Sequence, residues 1–98
     1  MKRNETKFLL DCKDKDSLIL PNNKKVSNLI QLANEIRLMN EDHFSLLIKN
    51  TYFLPWIKNT IGDKKLYQKI ENKKNQEDIY KQLRIRLDYL YNIKKKLR

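Results

Sequence analysis

Few residues in this chain are of types that carry chemistry. His43 is the only histidine and Cys12 the only cysteine. His43 follows Glu41 and Asp42, so a general base or metal ligand is conceivable there. No second histidine or cysteine stands at ligand spacing, and the segment reads better as a solvated first helical turn. Asp11, Asp14 and Asp16 alternate with lysines and imitate the start of a calcium loop. That loop also needs a central glycine and a terminal glutamate, and both are missing. Cys12 has no partner for a redox pair, and its place is expected in a mobile arm. Two carboxylate pairs, Glu41/Asp42 and Glu77/Asp78, both precede apolar periodic runs, where helix-terminus electrostatics accounts for them. There is no glycine-rich phosphate loop, no serine elbow and no zinc pattern. The sequence therefore points to a protein that is not an enzyme, with no cofactor, no metal and no small-molecule substrate.

Charge is the remaining candidate. The chain has 98 residues, a net charge of +10 and 35% charged residues. Such a balance suits an anionic partner. Lysine supplies 17 of the 22 basic residues and asparagine occurs eleven times, a bias that an AT-rich genome produces without selection. Arginine, the better reader of phosphates and bases, is scarce. Basic residues concentrate after Asp63, whereas residues 27–62 are neutral. Projected at 100° per residue, Lys81, Arg84, Lys95 and Lys96 point away from the main apolar stripe of the last helix. With Lys94 and Arg98 they form the expected nucleic-acid contacts. About six to ten such phosphate contacts make affinity fall steeply with salt. On the same helix Ile85, Tyr89 and Ile93 recur every four residues outside the main stripe, which suggests a protein-interaction or self-association surface. The leading expectation is a protein-interaction or self-associating module, with nucleic-acid binding as the alternative. Lying on an anionic membrane ranks third, because the polar face is weakly segregated.

These residues must be positioned by a small framework. No uncharged run approaches the roughly twenty residues of a membrane span, and the N-terminus lacks the apolar stretch of a signal peptide. A lone cysteine suits the cytoplasm. One glycine and two prolines argue against an all-β fold. The expected fold is mainly α: a short N-terminal hairpin, then a compact bundle of about five helices, the last long and basic. Residues 1–16 are expected to be a flexible or weakly structured arm, and 17–98 a single domain.

Within that domain, 17–20 and 24–26 read as two short strands around Pro21-Asn22-Asn23. Phe8-Leu9-Leu10 is a candidate third strand. Ser27 is the expected cap of a helix over 28–39, with Leu29, Leu32, Ala33, Ile36 and Met39 at helical spacing. Asn40 caps a second helix to about residue 49. Pro55 falls early in a third, over 54–61, where a missing N–H costs little. Gly62 stops it and Asp63 caps a fourth, over 64–72. Asn75 caps the last, over 76–96, whose stripe is Ile79, Tyr80, Leu83, Leu87, Leu90, Tyr91 and Leu97. Trp56, the only tryptophan, joins Phe44, Phe53 and Ile57 in the predicted core.

These anchors carry a resemblance. Phe44, Phe53, Trp56-Ile57, Gly62-Asp63 and Leu66 stand where the corresponding residues stand in a small, uncharacterised, mainly archaeal helical domain family, catalogued only as a domain of unknown function. The chain is similar to it over roughly residues 17–72. Leu47 replaces the family's histidine, and Thr51 and Tyr52 replace its Asn-Asp. The resemblance implies a fold and brings no activity with it, and any role of the lost polar residues is lost as well.

Overall fold

The computed structural model describes the chain from Lys2 to Lys96, with side-chain environments from Glu5 to Lys96. An N-terminal 3-10 helix, Lys2–Leu9, leads through a short 3-10 turn, Asp14–Asp16, into strands β1 (Leu18–Ile19) and β2 (Lys25–Val26). Five helices follow: α1 (Leu29–Leu38), α2 (Glu41–Lys49), α3 (Phe53–Pro55, running on as a π-helical stretch, Trp56–Ile61), α4 (Lys64–Ile70) and α5 (Gln76–Lys96). This is the helical bundle with a leading hairpin that the sequence predicts.

The hairpin is antiparallel, with Leu18 opposite Val26 and Ile19 opposite Lys25. Asn23 turns the corner at φ 67°, a left-handed conformation that asparagine tolerates well. The Asn22 side-chain oxygen accepts from the Lys24 N–H at 3.1 Å and fixes the turn. Leu18, Leu20 and Val26 are buried, and β2 rests on α1. A two-residue ladder has too little pairing to stand alone, so this packing holds it.

Every one of the five helices but α3 starts on a polar side chain that takes a free N–H. Asn28, one residue beyond the expected Ser27, caps α1 by accepting from Gln31 N at 2.8 Å. Ser27 is still engaged: its N–H donates to the Gln31 side chain at 2.7 Å. The two contacts resemble a capping box shifted by one residue. Asn40 caps α2 through His43 N, Asp63 caps α4 through Leu66 N, and Asn75 accepts from Glu77 N and Asp78 N. Gly62 ends the π stretch at φ 89°, and its N–H and that of Asp63 both reach the Ile57 carbonyl. A β-carbon there would meet Phe8 only at ordinary contact distance, so the positive φ is what demands glycine.

The core is one cluster. Leu29, Leu32, Ala33 and Ile36 of α1 are buried, as are Ile79, Leu83, Leu87 and Leu90 of α5, and the two helices pack together. Phe44, Leu47, Phe53, Trp56 and Ile57 close one side, with Leu66 and Ile70 of α4 on another. Tyr80 is only half-buried and Tyr91 is exposed, so the stripe is narrower than expected. Leu97 lies outside the described residues. Gln76 also ties the bundle: its side-chain amide donates to the carbonyls of Ile36 and Met39, at 2.6 and 2.8 Å. Those carbonyls lie at the end of α1, where intrahelical donors run out.

The N-terminal segment differs from the expectation of a weakly structured arm. Lys2–Leu9 is helical and packs on α5 and α1. Phe8 and Leu9 lie against the core, so they supply no third strand. Cys12 also packs there, and its N–H donates to the Ser27 carbonyl at 2.8 Å. Burial of Phe8, Leu9 and Cys12 recruits a segment whose local sequence has little structural preference of its own. Trp56 adds a second tether. The indole is buried, and its N–H donates to the Asp16 carbonyl at 2.9 Å. Replacing Trp56 with alanine removes both the packing and this tether. Urea unfolding should show a loss of about 3–5 kcal/mol. An unchanged midpoint would mean that the indole carries no part of the core.

Candidate interaction surface

The residues whose types could carry chemistry, each set aside on sequence grounds, are engaged in local contacts or lie apart from one another. Asp14 pairs with Lys25 at 2.6 Å, Asp11 accepts from the Asn28 side chain at 2.5 Å, and Asp16 is engaged through its carbonyl. His43 is half-buried in the first turn of α2. Among the described residues no group of three or more His, Cys, Asp or Glu side chains is placed to hold a metal ion.

The expected surface of Ile85, Tyr89 and Ile93 is also redistributed. Ile93 is 8% exposed and belongs to the interior. Tyr89 is half-buried, and its hydroxyl donates to Glu5 at 3.0 Å. Ile85 alone stays open, at 53% exposure. The N-terminal helix packs on α5 and engages Tyr89 through Glu5, on a side of α5 that the sequence leaves apolar and bare. Of the expected phosphate contacts, Lys81, Lys94, Lys95 and Lys96 are exposed. Arg84 is exposed but spends its charge on Asp88, one turn along, at 3.3 Å. Arg98 lies outside the described residues.

Arg86 forms the most organised polar group of the molecule. On the α5 projection it stands at i+3 from Leu83, beside the buried stripe. A cation there must find an anion, because an isolated buried charge is very costly. Its Nε donates to Asp63 Oδ2 at 2.8 Å and its Nη2 to Asp63 Oδ1 at 2.9 Å. Nη2 also donates to Glu5 at 3.0 Å. Asp63 is fully buried, and the side chain of Arg86 is 12% exposed. The guanidinium further lies 5.2 Å from the Tyr89 ring centroid and 5.8 Å from that of Phe8. Such aromatic neighbours favour a cation by their ring quadrupoles.

The network shifts three titrations. Burial pushes the Glu5 carboxyl up, but the bonds from Tyr89 and Arg86, with the charges of Arg86 and Lys65, outweigh it and hold the group below its ordinary value. Burial likewise opposes the charge on Arg86, and the bond and charge of Asp63, with those of Glu5, overcome it and raise the pKa. The bond to Glu5 raises that of the Tyr89 phenol. Together with Asp63, these groups are thus committed to one another, four in all. They connect the N-terminal helix, the α3–α4 corner and α5, and they leave no free acid, base or nucleophile in the cluster.

Beside this network runs a groove between α4 and α5, about 270 Å³ in volume. Leu66, Ile85 and Tyr89 supply its apolar wall; Lys65, Lys69, Gln82 and Arg86 supply its polar edge. A second, wider recess of about 390 Å³ continues it past Lys65, Arg86 and Tyr89 to Lys64 and Phe8. Lys64, Lys65 and Lys69 are exposed and form no ion pair among the described residues. Sequence reading misses Lys65, Lys69, Glu5 and the Asp63–Arg86 pair. The signal for the pair is an arginine inside a core-facing helical stripe; for the lysines there is none. No protein-family model, curated protein or solved structure matches this chain.

Two outcomes follow from the network. Asp63→Ala removes a helix cap and leaves a mostly buried guanidinium with Glu5 as its one remaining carboxylate, so chemical unfolding should show a loss of about 3–5 kcal/mol. Asp63→Ala with near-native stability would show that Arg86 finds water instead. The second outcome concerns pH. Because the folded-state pKa of Glu5 is depressed, its stabilisation is fully present above the ordinary value of 4.5 and disappears as pH falls through the lower folded value. The stability gap between the parent and Glu5→Gln should therefore be wide near neutral pH and close on acidification below 4.5. A gap of constant size across that range would count against the ionised pair.

Proposed function

We propose that this protein is a non-enzymatic interaction module, a binder of protein partners or of its own copies, with the α4–α5 groove as its contact surface. The observation that carries this reading is Ile85, a large apolar side chain left half in solvent on the wall of a formed groove. Exposed apolar side chains singly are ordinary; one that lies in a concave, lysine-edged groove is placed to receive an anchor residue. The three-residue row expected from the sequence is thereby reduced to Ile85 and the ring of Tyr89, with Lys65 and Lys69 added.

A second reading, nucleic-acid association, draws on Lys81, Lys94, Lys95 and Lys96, which are exposed and unpaired by any described acid. Arg84 is lost to it in part through Asp88, which interrupts the cationic face. The resemblance to the archaeal domain extends, in this proposal, to the core alone: Phe44, Phe53, Trp56, Ile57 and Leu66 are interior residues and recognise nothing. A cytoplasmic setting goes with this reading, on the strength of the single free thiol. No helix among the described residues is long and apolar enough to cross a membrane.

A displayed library of helical peptides, selected on the parent protein and on Ile85→Asp, tests the first reading. Enrichment of a peptide family by the parent and not by the variant is the expected result. Selection with no dependence on Ile85 removes it. If duplex DNA or RNA binds instead, with log K falling steeply against log salt and no effect of Ile85→Asp, the second reading takes its place.

A further inference from the structure

The groove's chemistry narrows the kind of partner it fits. We infer that the α4–α5 groove receives an acidic amphipathic helix, which places an apolar side chain against Ile85 and carboxylates on Lys65 and Lys69. This inference rests on the interaction-module reading and specifies its partner.

Five observations select that occupant. Lys65 and Lys69 lie four residues apart on α4, so their ammonium groups rise from successive turns of the same face. Neither is in direct ion-pair contact with a described carboxylate, although the charge of Lys65 also acts on Glu5 at longer range. Carboxylates at i and i+4 of a helix lying alongside α4 repeat the same spacing and neutralise both. The third cation at the groove, Arg86, is already satisfied by Asp63 and Glu5, so it shapes the wall without demanding an anion. The wall itself is apolar at Leu66, Ile85 and Tyr89. A volume of about 270 Å³ is the scale of one anchoring side chain and not of an extended ligand.

Charge argues against the other occupants. A second copy docked by the same face would bring Lys65 and Lys69 of both chains together, with +10 on each chain. Like charges opposed across an interface are penalised. A phosphate backbone would satisfy the lysines but leave Ile85 without an apolar partner. An amphipathic helix with an acidic flank uses both features at once, the helix-in-groove mode of recognition.

Fluorescence anisotropy with labelled peptides of about four helical turns tests the inference. The probe carries leucine on one face and glutamate beside it. Three relatives serve as comparisons: glutamine for every glutamate, lysine for every glutamate, and a scramble of identical composition. The acidic amphipathic peptide should bind at least about tenfold tighter than each of the three. Ile85→Asp should weaken it about tenfold or more, and Lys65→Glu with Lys69→Glu should do the same. Circular dichroism of the variants should match the parent, since all three side chains are exposed, and Ile85→Asp should melt with it; Lys65→Glu also removes a charge that favours the ionised Glu5, so Lys65→Gln with Lys69→Gln, which should weaken the acidic peptide in the same direction, serves as the milder pair. Equal binding of the scramble would mean charge alone is read, and would overturn the inference. Tighter binding of the glutamine peptide, still dependent on Ile85, would overturn the acidic partner and leave the interaction module standing. If no amphipathic peptide binds, or binding ignores Ile85, both fall.

Discussion

A single buried carboxylate organises this fold. Asp63 is fully enclosed, yet every one of its demands is met within a few ångströms. One oxygen accepts from the Leu66 N–H at 3.2 Å and starts α4. The same carboxylate takes Nε and Nη2 of Arg86 side-on, which sets the rotation of α5 against the α3–α4 corner. Two hydrophobic surfaces can slide or rotate on each other at small cost, whereas a bidentate ion pair in a poorly hydrated site has one good geometry. The pair therefore fixes register where apolar packing alone would leave latitude. Gly62 makes it reachable. Its φ of 89° lets the chain reverse directly from the π stretch into the cap.

The constraint reaches the N-terminus through the second donor of Nη2. Glu5 lies 81 positions from Arg86 in sequence, and the bond between them closes the chain into one body. The 3-10 helix that carries Glu5 lays Phe8 beside the same guanidinium. It thus covers the side of α5 that would otherwise be bare, and with it Tyr89. What stays open is set by what α4 and the N-terminal helix leave uncovered. That remainder is the groove beside Ile85, bounded by Lys65 and Lys69, neither of which is in direct ion-pair contact with a described carboxylate. Fold and candidate site are consequences of the same contacts: the network that orients α5 also decides which of its side chains face solvent.

Much of the framework was legible from local patterns. Asn40, Asp63 and Asn75 act as caps because a short polar side chain before an apolar periodic run has a local reason to accept free N–H groups. The Pro21-Asn22-Asn23 turn and the Gly62 stop are also local, since backbone angles decide them. The burial of Phe44, Phe53, Trp56 and Ile57 follows from their apolar area. The shift from Ser27 to Asn28 shows the limit of such signals: two adjacent residues were each chemically able to cap, and the Ser27 hydroxyl is instead 2.8 Å from that of Ser17, ten positions away.

The chain by itself determined the five helices of the bundle, their starts to within a residue or so, and that α5 is apolar on more than one side, because these depend on residues within a turn or two of each other. It did not determine what would occupy the second apolar side. A helix carrying Ile85, Tyr89 and Ile93 reads alike whether that side meets a partner or the protein's own N-terminus. Only the tertiary structure decided it, burying Ile93, bonding Tyr89 to Glu5 and leaving Ile85 in a groove with Lys65 and Lys69. The physical reason is that these contacts join positions far apart in sequence, and periodicity along one helix holds no information about which distant surface comes to rest on it.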